Sequence, residues 1–415
     1  MKSKDKILKI SIQEVLLLIL IVLSIHYTEF KIGVVKLSEI ILLLLPPFLY
    51  TRKLNKYITY FYILFTVWLI ISLLFNPFRE FPTLEGLSVL KSPYLITIGR
   101  YLELIACINL TAISYYYLKK RTIDEIANFV KKIVFLSFIL VVFNAAVYLL
   151  VDKGLLSSSK LVYTTPSSSF RLKGWYVEGG PYGLMLAFIF VLSSLYKSKY
   201  NFLIRVFLIF NIVFLAKSKA GILLLVLWGV IYYYKRIYRK IKTLSIFVIP
   251  IGLMIAAFTF IKLAETYIDS NKNMETYMKM RPNDTSLTMG RIAGSHIVPN
   301  MVVDNSIFGI GLGNYPIIRN ISEYRTFVPY TPKGKTDAHG IGGIIQILVD
   351  GGLFILFFFF FIIYVIIKKA YVHNNNLEIY VLAFVSFFLT GVQIYFLYPW
   401  VLLGIFIALI QKKND

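Results

Sequence analysis

Cysteine is nearly absent from the chain: Cys107 is the only one in 415 residues. It cannot form an intrachain disulfide, and because it lies inside an apolar run it says nothing about redox compartment. Also missing are a zinc-ligand spacing, a GxxxxGK[ST] phosphate loop and a paired-carboxylate signature, so metal and nucleotide chemistry have no motif to rest on. No internal repeat is strong enough to suggest the inverted halves of a transporter. Acidic residues are scarce, 21 against 44 Lys and Arg, for a net charge of +23. That excess does not lead to nucleic acid, because no basic segment is interleaved with polar aromatics. The lysines and arginines gather instead at the ends of apolar runs, where they act as topology signals.

What the chain has in quantity is apolar sequence: 58% of residues are hydrophobic and 16% charged. Runs of about 20 apolar residues, each enough for one helical crossing of a bilayer, recur from end to end. Composition therefore overrules the two or three soluble domains that length alone suggests. The expected fold is an all-α polytopic membrane protein, residues 1–415 forming a single transmembrane domain with about twelve transmembrane helices. The spans fall near 7–26, 33–50, 57–75, 94–117, 133–151, 177–196, 202–216, 218–234, 243–264, 341–367, 377–396 and 399–411. Ile7–Ser24 is too long for a signal peptide and has no small-residue cleavage site, so it reads as the first span. The short loops of one side hold most of the lysine and arginine, which places both termini in the cytoplasm.

Two outer segments are long where the other connections are brief, and loops of such length are uncommon unless they do something. The first functional loop is 152–176 and contains "DKGLLSSSKLVYTTPSSSFRLKGW". The second is 265–340, between the ninth and tenth spans. It has an apolar pattern of its own in "RIAGSHIVPNMVVDNSIFGIGLGNYPII", which predicts short helices packed onto the membrane domain. "GIGLGNY" lies outside any strand-to-helix context and reads as a turn rather than a dinucleotide site.

His339 sits at the mouth of the tenth span. An imidazole titrates near neutrality and can take a proton from a hydroxyl, so the position suits a general base, as it equally suits a histidine bonded to nearby backbone. Asp337 could orient the ring. The outer face also collects cations: Arg171 and Lys173 in the first long loop, Lys217 and Lys219 in "FLAKSKAGILLL", Arg281 and Arg291 in the second. Guanidinium forks match phosphate oxygens, and several of them together fit a pyrophosphate. The alternative is that each snorkels to lipid headgroups, although topology disfavours cations on that side. Lys217 and Lys219 follow a span of about fifteen residues, which puts them below headgroup level, where ionisable groups are functional by default. Glu178 opens the sixth span as a partner for Arg171 or a binder of sugar hydroxyls. Arg100 and Glu103 read as a structural ion pair.

With these residues in view, the chain resembles the O-antigen polymerase and ligase superfamily of bacterial surface-polysaccharide enzymes. "RLKGWYVEGGPYGLMLA" is similar to the family's Arg-x-x-Gly segment leading into a span. "AKSKAG" is similar to its Ser-Arg turn, with Lys219 where the family has arginine. "RIAGSHIVPNMVVDNSIFGIGLGNY" is similar to its Arg-led stretch ending in glycines and tyrosine, and "AHGIGGIIQILVDGGLFIL" to its histidine followed by an amphipathic run. The resemblance implies a glycosyl transfer with no metal and no cofactor at the periplasmic face of the bacterial inner membrane. His339 would be catalytic, with Arg171, Arg291, Lys219 and Arg281 on the substrate pyrophosphate and Glu178, Lys173 and Lys217 as further substrate contacts. The implied partners are undecaprenyl-pyrophosphate-linked oligosaccharides as donor and acceptor, membrane lipid and a chain-length regulator protein, with no nucleic acid. A polymerase fits best. A ligase delivering polysaccharide to lipid A core is the alternative within the class, and a lipid-linked oligosaccharide flippase or other transporter the alternative outside it.

Overall fold

In the computed structural model the described residues are 11–28, 31–32, 35–45, 54–79, 81–82, 92–157, 159–164, 170–241, 275–276, 278–280, 291–328, 341–372 and 377–412. The protein is mostly helical. Its helices are α1 (Ile12–His26), α2 (Leu37–Leu44), α3 (Lys56–Phe75), α4 (Pro93–Leu118), α5 (Ile123–Asp152), α6 (Gly179–Leu192) and α7 (Asn201–Phe210). They continue with α8 (Lys219–Ile241), α9 (Arg291–Asp304), α10 (Tyr315–Ile318), α11 (Ser322–Arg325), α12 (Gly343–Val372), α13 (Glu378–Leu389) and α14 (Leu397–Gln411). Among the described residues four stretches are long and apolar enough to cross a membrane: Lys56–Phe78, Pro93–Leu118, Ile123–Asp152 and Gly343–Tyr371. Six shorter apolar helices accompany them. The expected span at 243–264 lies outside the described residues.

Several boundaries differ from the expected ones, each for a local reason. α5 starts about ten residues before the expected span because Thr122 and Glu125 form a capping box: Thr122 Oγ1 accepts from Glu125 N at 3.3 Å and Glu125 Oε2 accepts from Thr122 N at 2.8 Å. α13 ends at Leu389, well before the apolar run does, at Gly391 with φ +93°. A residue in that left-handed region stops a helix. The chain is also not purely helical. β1 (Lys31–Ile32) pairs antiparallel with β2 (Val35–Lys36), and β3 (Val162–Thr164) with β4 (Phe170–Leu172). The second hairpin lies in the first long loop, where self-pairing gives backbone groups partners that a long loop would otherwise lack.

The chain divides into two compact units. The first comprises Met1–Tyr60, Glu103–Val226 and Tyr364–Asp415. Its centre is α14, apolar all round and buried from Leu397 to Ala408, as a helix with no polar face must be. α14 packs on α13, α1 and α6. It crosses α4 so closely that a Cβ on Gly404 would lie 2.6 Å from the Thr111 carbonyl, and Thr111 Oγ1 bonds the Trp400 carbonyl at 2.9 Å. A buried ion cluster ties β2 to α2 and α4, Lys36 Nζ reaching Glu39 at 2.8 Å and Glu103 at 3.0 Å. Glu103, expected to pair with Arg100, thus has Lys36 as a partner.

The second unit comprises Phe61–Leu102 and Leu227–Ile363. Its short helices α9, α10 and α11 share one apolar core with α12, built from Ala293, Ile297, Met301, Tyr315, Ile318 and Val349 among others. α12 is broken at Gly352, whose φ of +67° and ψ of −174° interrupt the helix.

Candidate functional site

In the first unit the hairpin β3–β4 presents Arg171, opposite Tyr163 in the register. The guanidinium is half-buried and spent on two carbonyls: Nε donates to Ala216 O at 3.2 Å and Nη2 to Lys217 O at 3.0 Å. These carbonyls end the π-helical turn Asn211–Leu215 that follows α7. Lys217 itself adopts φ +49°, a left-handed conformation uncommon for a residue with a side chain. Strain of this kind gathers at ligand clamps and active sites.

The same place holds the starts of two helices. Ser218 caps α8, its Oγ accepting from Gly221 N at 3.0 Å and donating to Gly180 O at 3.0 Å in the first turn of α6. The approach needs glycine. A Cβ on Gly179 would lie 2.5 Å from Ala216 O and 3.4 Å from Arg171 Nε, and one on Gly183 would lie 2.2 Å from Ser218 Cβ. Two helix N-termini, each with amides pointing outward and a partial positive charge, therefore lie beside one guanidinium. Lys217 and Lys219 flank the junction with exposed side chains, and Lys173 follows β4. Backbone amides, a fixed fork and mobile ammonium groups together suit an anion, phosphate above all.

The structure thus brings Arg171, Lys217 and Lys219 together. Glu178 precedes α6 as its N-cap residue, exposed and with no side-chain cap bond; no hydrogen bond joins it to Arg171 among the described residues. His339 and Arg281 lie outside the described residues. Arg291 is the first residue of α9, and only its backbone is described.

A second polar cluster, in the second unit, was not singled out by the sequence reading. Asp350 on α12 is 1% exposed, and its Oδ2 accepts from Gly313 N at 3.1 Å. Among the described residues Asn76 Nδ2 has no hydrogen-bond partner, and the buried Gln346 side chain lies one turn before Asp350, within reach of its carboxyl group. Arg79 borders the cluster, donating to Asn76 Oδ1 at 2.9 Å and Gly309 O at 2.7 Å. Burial pushes its guanidinium down to about 10, with the Asp350 carboxylate opposing that shift. The signal was there to read: Asp350 is an ionisable residue inside an apolar run, and such residues are functional by default. "GIGLGNY" is confirmed as a turn structure, with Gly309, Gly311 and Gly313 all at positive φ.

Residues 204–360 match the family model Wzy_C, described as O-antigen ligase. That stretch is therefore similar to the O-antigen ligase family. The match supports the O-antigen ligase and polymerase superfamily, whose members are glycosyltransferase-like enzymes of lipopolysaccharide biosynthesis. Together with the long apolar helices it makes this a membrane protein. The matched stretch takes in Lys217, Lys219, Arg281, Arg291, His339 and Asp350, while Arg171, Lys173 and Glu178 precede it. No curated protein and no solved structure matches the chain.

Proposed function

We propose that the protein is an O-antigen polymerase. It joins undecaprenyl-pyrophosphate-linked oligosaccharide repeat units at the periplasmic face of the inner membrane, within about twelve spans whose ends both lie in the cytoplasm. In the transfer, an acceptor sugar hydroxyl on one lipid-linked unit gives its proton to His339. Its oxygen forms the new glycosidic bond to the anomeric carbon of the donor glycan. The bond from that carbon to pyrophosphate breaks, and the polyprenyl pyrophosphate leaves with the electron pair. The leaving group is already a stable anion, so the protein's tasks are to hold its charge and to accept one proton.

The observation that carries this reading is the Arg171 guanidinium held on the Ala216 and Lys217 carbonyls beside the starts of α6 and α8. Two of its nitrogens fix it in place, leaving Nη1 for a phosphate oxygen, while Lys219 and Lys217 supply further charge. In the same reaction Arg291 and Arg281 serve the pyrophosphate, Glu178 and Lys173 the sugars, and the lipid tail runs along the apolar helices. The partner implied beyond the substrates is a chain-length regulator protein.

A second reading, the ligase that moves finished polysaccharide to lipid A core, is favoured by the description of the matching family model. Lipopolysaccharide banding from a strain lacking the protein separates the two. Loss of the long ladder with core plus one repeat retained means polymerase, loss of every repeat means ligase, and an unchanged surface glycan removes both.

A further inference from the structure

The turn that joins β4 to α6 does more than place Arg171. Lys173 N and Gly174 N both donate to Leu161 O, at 3.0 and 3.1 Å, and Tyr176 N closes the turn on Lys173 O at 3.1 Å. Gly174 has φ +55°, and a Cβ there would lie 2.6 Å from the Tyr182 ring, so the turn requires glycine at this position. Tyr176 is buried, its ring tilted against those of Tyr182 and Phe396, and its hydroxyl donates to the Ile25 carbonyl in the last turn of α1. Trp175 therefore sits in a turn held by these backbone bonds and by the buried Tyr176.

Trp175 pairs with Tyr27, the C-cap residue of α1, at a centroid distance of 5.2 Å and an interplanar angle of 32°. Both rings are half-buried and keep part of their surface exposed. Next to Tyr27, His26 is 1% exposed and its Nε2 has no hydrogen-bond partner among the described residues, although buried polar atoms are nearly always satisfied. Glu178, three positions after Trp175 in the chain, is exposed. Rigid aromatic surface with a few polar groups at its edge is the composition of a small-ligand site.

We propose that Tyr27 and Trp175 form a platform for the sugar ring next to the pyrophosphate, and so help decide which sugar the enzyme accepts. This rests on the anion reading of Arg171. A pyranose offers an apolar C–H face to an aromatic surface and a rim of hydroxyls to groups such as Glu178 and Lys173. The spacing agrees with the chemistry: Trp175 lies four positions after Arg171, at most about 14 Å of chain, and the turn shortens that. The donor's first sugar is bonded directly to the diphosphate, so a diphosphate held at Arg171 carries that ring toward this surface. The competing role is an interfacial anchor, in which a tryptophan meets lipid headgroups and has no preference among glycans.

Binding of full-length protein in nanodiscs to bare polyprenyl pyrophosphate, and to the same lipid carrying one hexose or one 2-acetamidohexose, distinguishes these roles. The wild type should bind at least one sugar-bearing lipid about tenfold more tightly than the bare lipid, which is the scale of one well-packed aromatic contact. Trp175→Ala should erase that preference and leave bare-lipid affinity unchanged, while Trp175→Phe retains most of it and shows that the turn still folds. The platform is overturned by a wild type without preference, by Trp175→Ala weakening both lipids alike, or by Trp175→Ala keeping the preference. Arg171→Ala tests the anion reading separately. It should weaken the bare lipid, and if it does not, the diphosphate assignment fails whatever the sugar result.

Discussion

Gly183 and Ser218 set how near the starts of α6 and α8 can come. Gly183→Ala must push Ser218 away, since the new methyl would overlap its Cβ. The expected cost is about 1–3 kcal/mol in detergent unfolding, as for other overpacked contacts. Lipid-pyrophosphate binding should fall with it, because Arg171 depends on the Ala216 and Lys217 carbonyls of the same junction. Gly180→Ala, three residues away with nothing within 4 Å of its Cβ, should change neither and serves as control. A different logic governs Lys36, whose ammonium lies between the Glu39 and Glu103 carboxylates in a buried setting. Lys36→Met leaves two buried carboxylates without that cation, and breaking a buried pair from one side typically costs about 3–5 kcal/mol. Glu103→Gln keeps the Lys36–Glu39 pair and should cost clearly less in the same unfolding measurement.

At the scale of elements, the break in α12 acts as a joint. Helix interruption at Gly352 frees backbone groups, and the glycine-rich segment takes them up. Ile310 N and Gly311 N donate to the Val349 and Asp350 carbonyls at 2.9 and 3.0 Å, and Leu353 N and Phe354 N donate to Ser306 O and Ile307 O at 2.8 and 3.1 Å. In a span, irregular backbone is tolerated only when satisfied in this way. Gly352→Ala combines a left-handed φ with a Cβ 2.2 Å from the Ile307 carbonyl. It should open the joint, speed hydrogen exchange at the Ile310 and Gly311 amides and cost more than about 2 kcal/mol. The sequence made both partners of this joint visible, the apolar run and the turn-like glycines, but not their pairing, because the register between segments some forty residues apart has no local signature. Local signals were more generous. The capping box at Thr122 and the glycine at 391 explain two of the boundaries that differed, and both could have been read from the residues alone. The hairpin at 162–172 could not, since three-residue strands are too short for alternation to show.

For the whole molecule, composition made the helical membrane architecture plain, and the ordered motifs pointed to the superfamily that the match over residues 204–360 supports. The Arg171 junction was legible in part: its cations were visible, while the carbonyls and glycines that hold them come from segments brought together only by folding. The roles assigned to His339 and Arg171 separate binding from chemistry, and that separation can be measured. In the proposed mechanism, His339→Ala removes the proton acceptor and leaves the phosphate-binding groups in place. Repeat-unit joining by purified protein should therefore fall by about 10²-fold or more, with bare polyprenyl-pyrophosphate affinity within twofold of wild type. Arg171→Ala should do the reverse at the binding step, weakening the bare lipid before any chemistry. Arg171→Lys should recover only part of that loss, because an ammonium cannot bridge two carbonyls and still present a planar donor to phosphate. Chain extension that persists in His339→Ala, at a rate near wild type, removes the imidazole from the mechanism and leaves the anion site to be explained by another base.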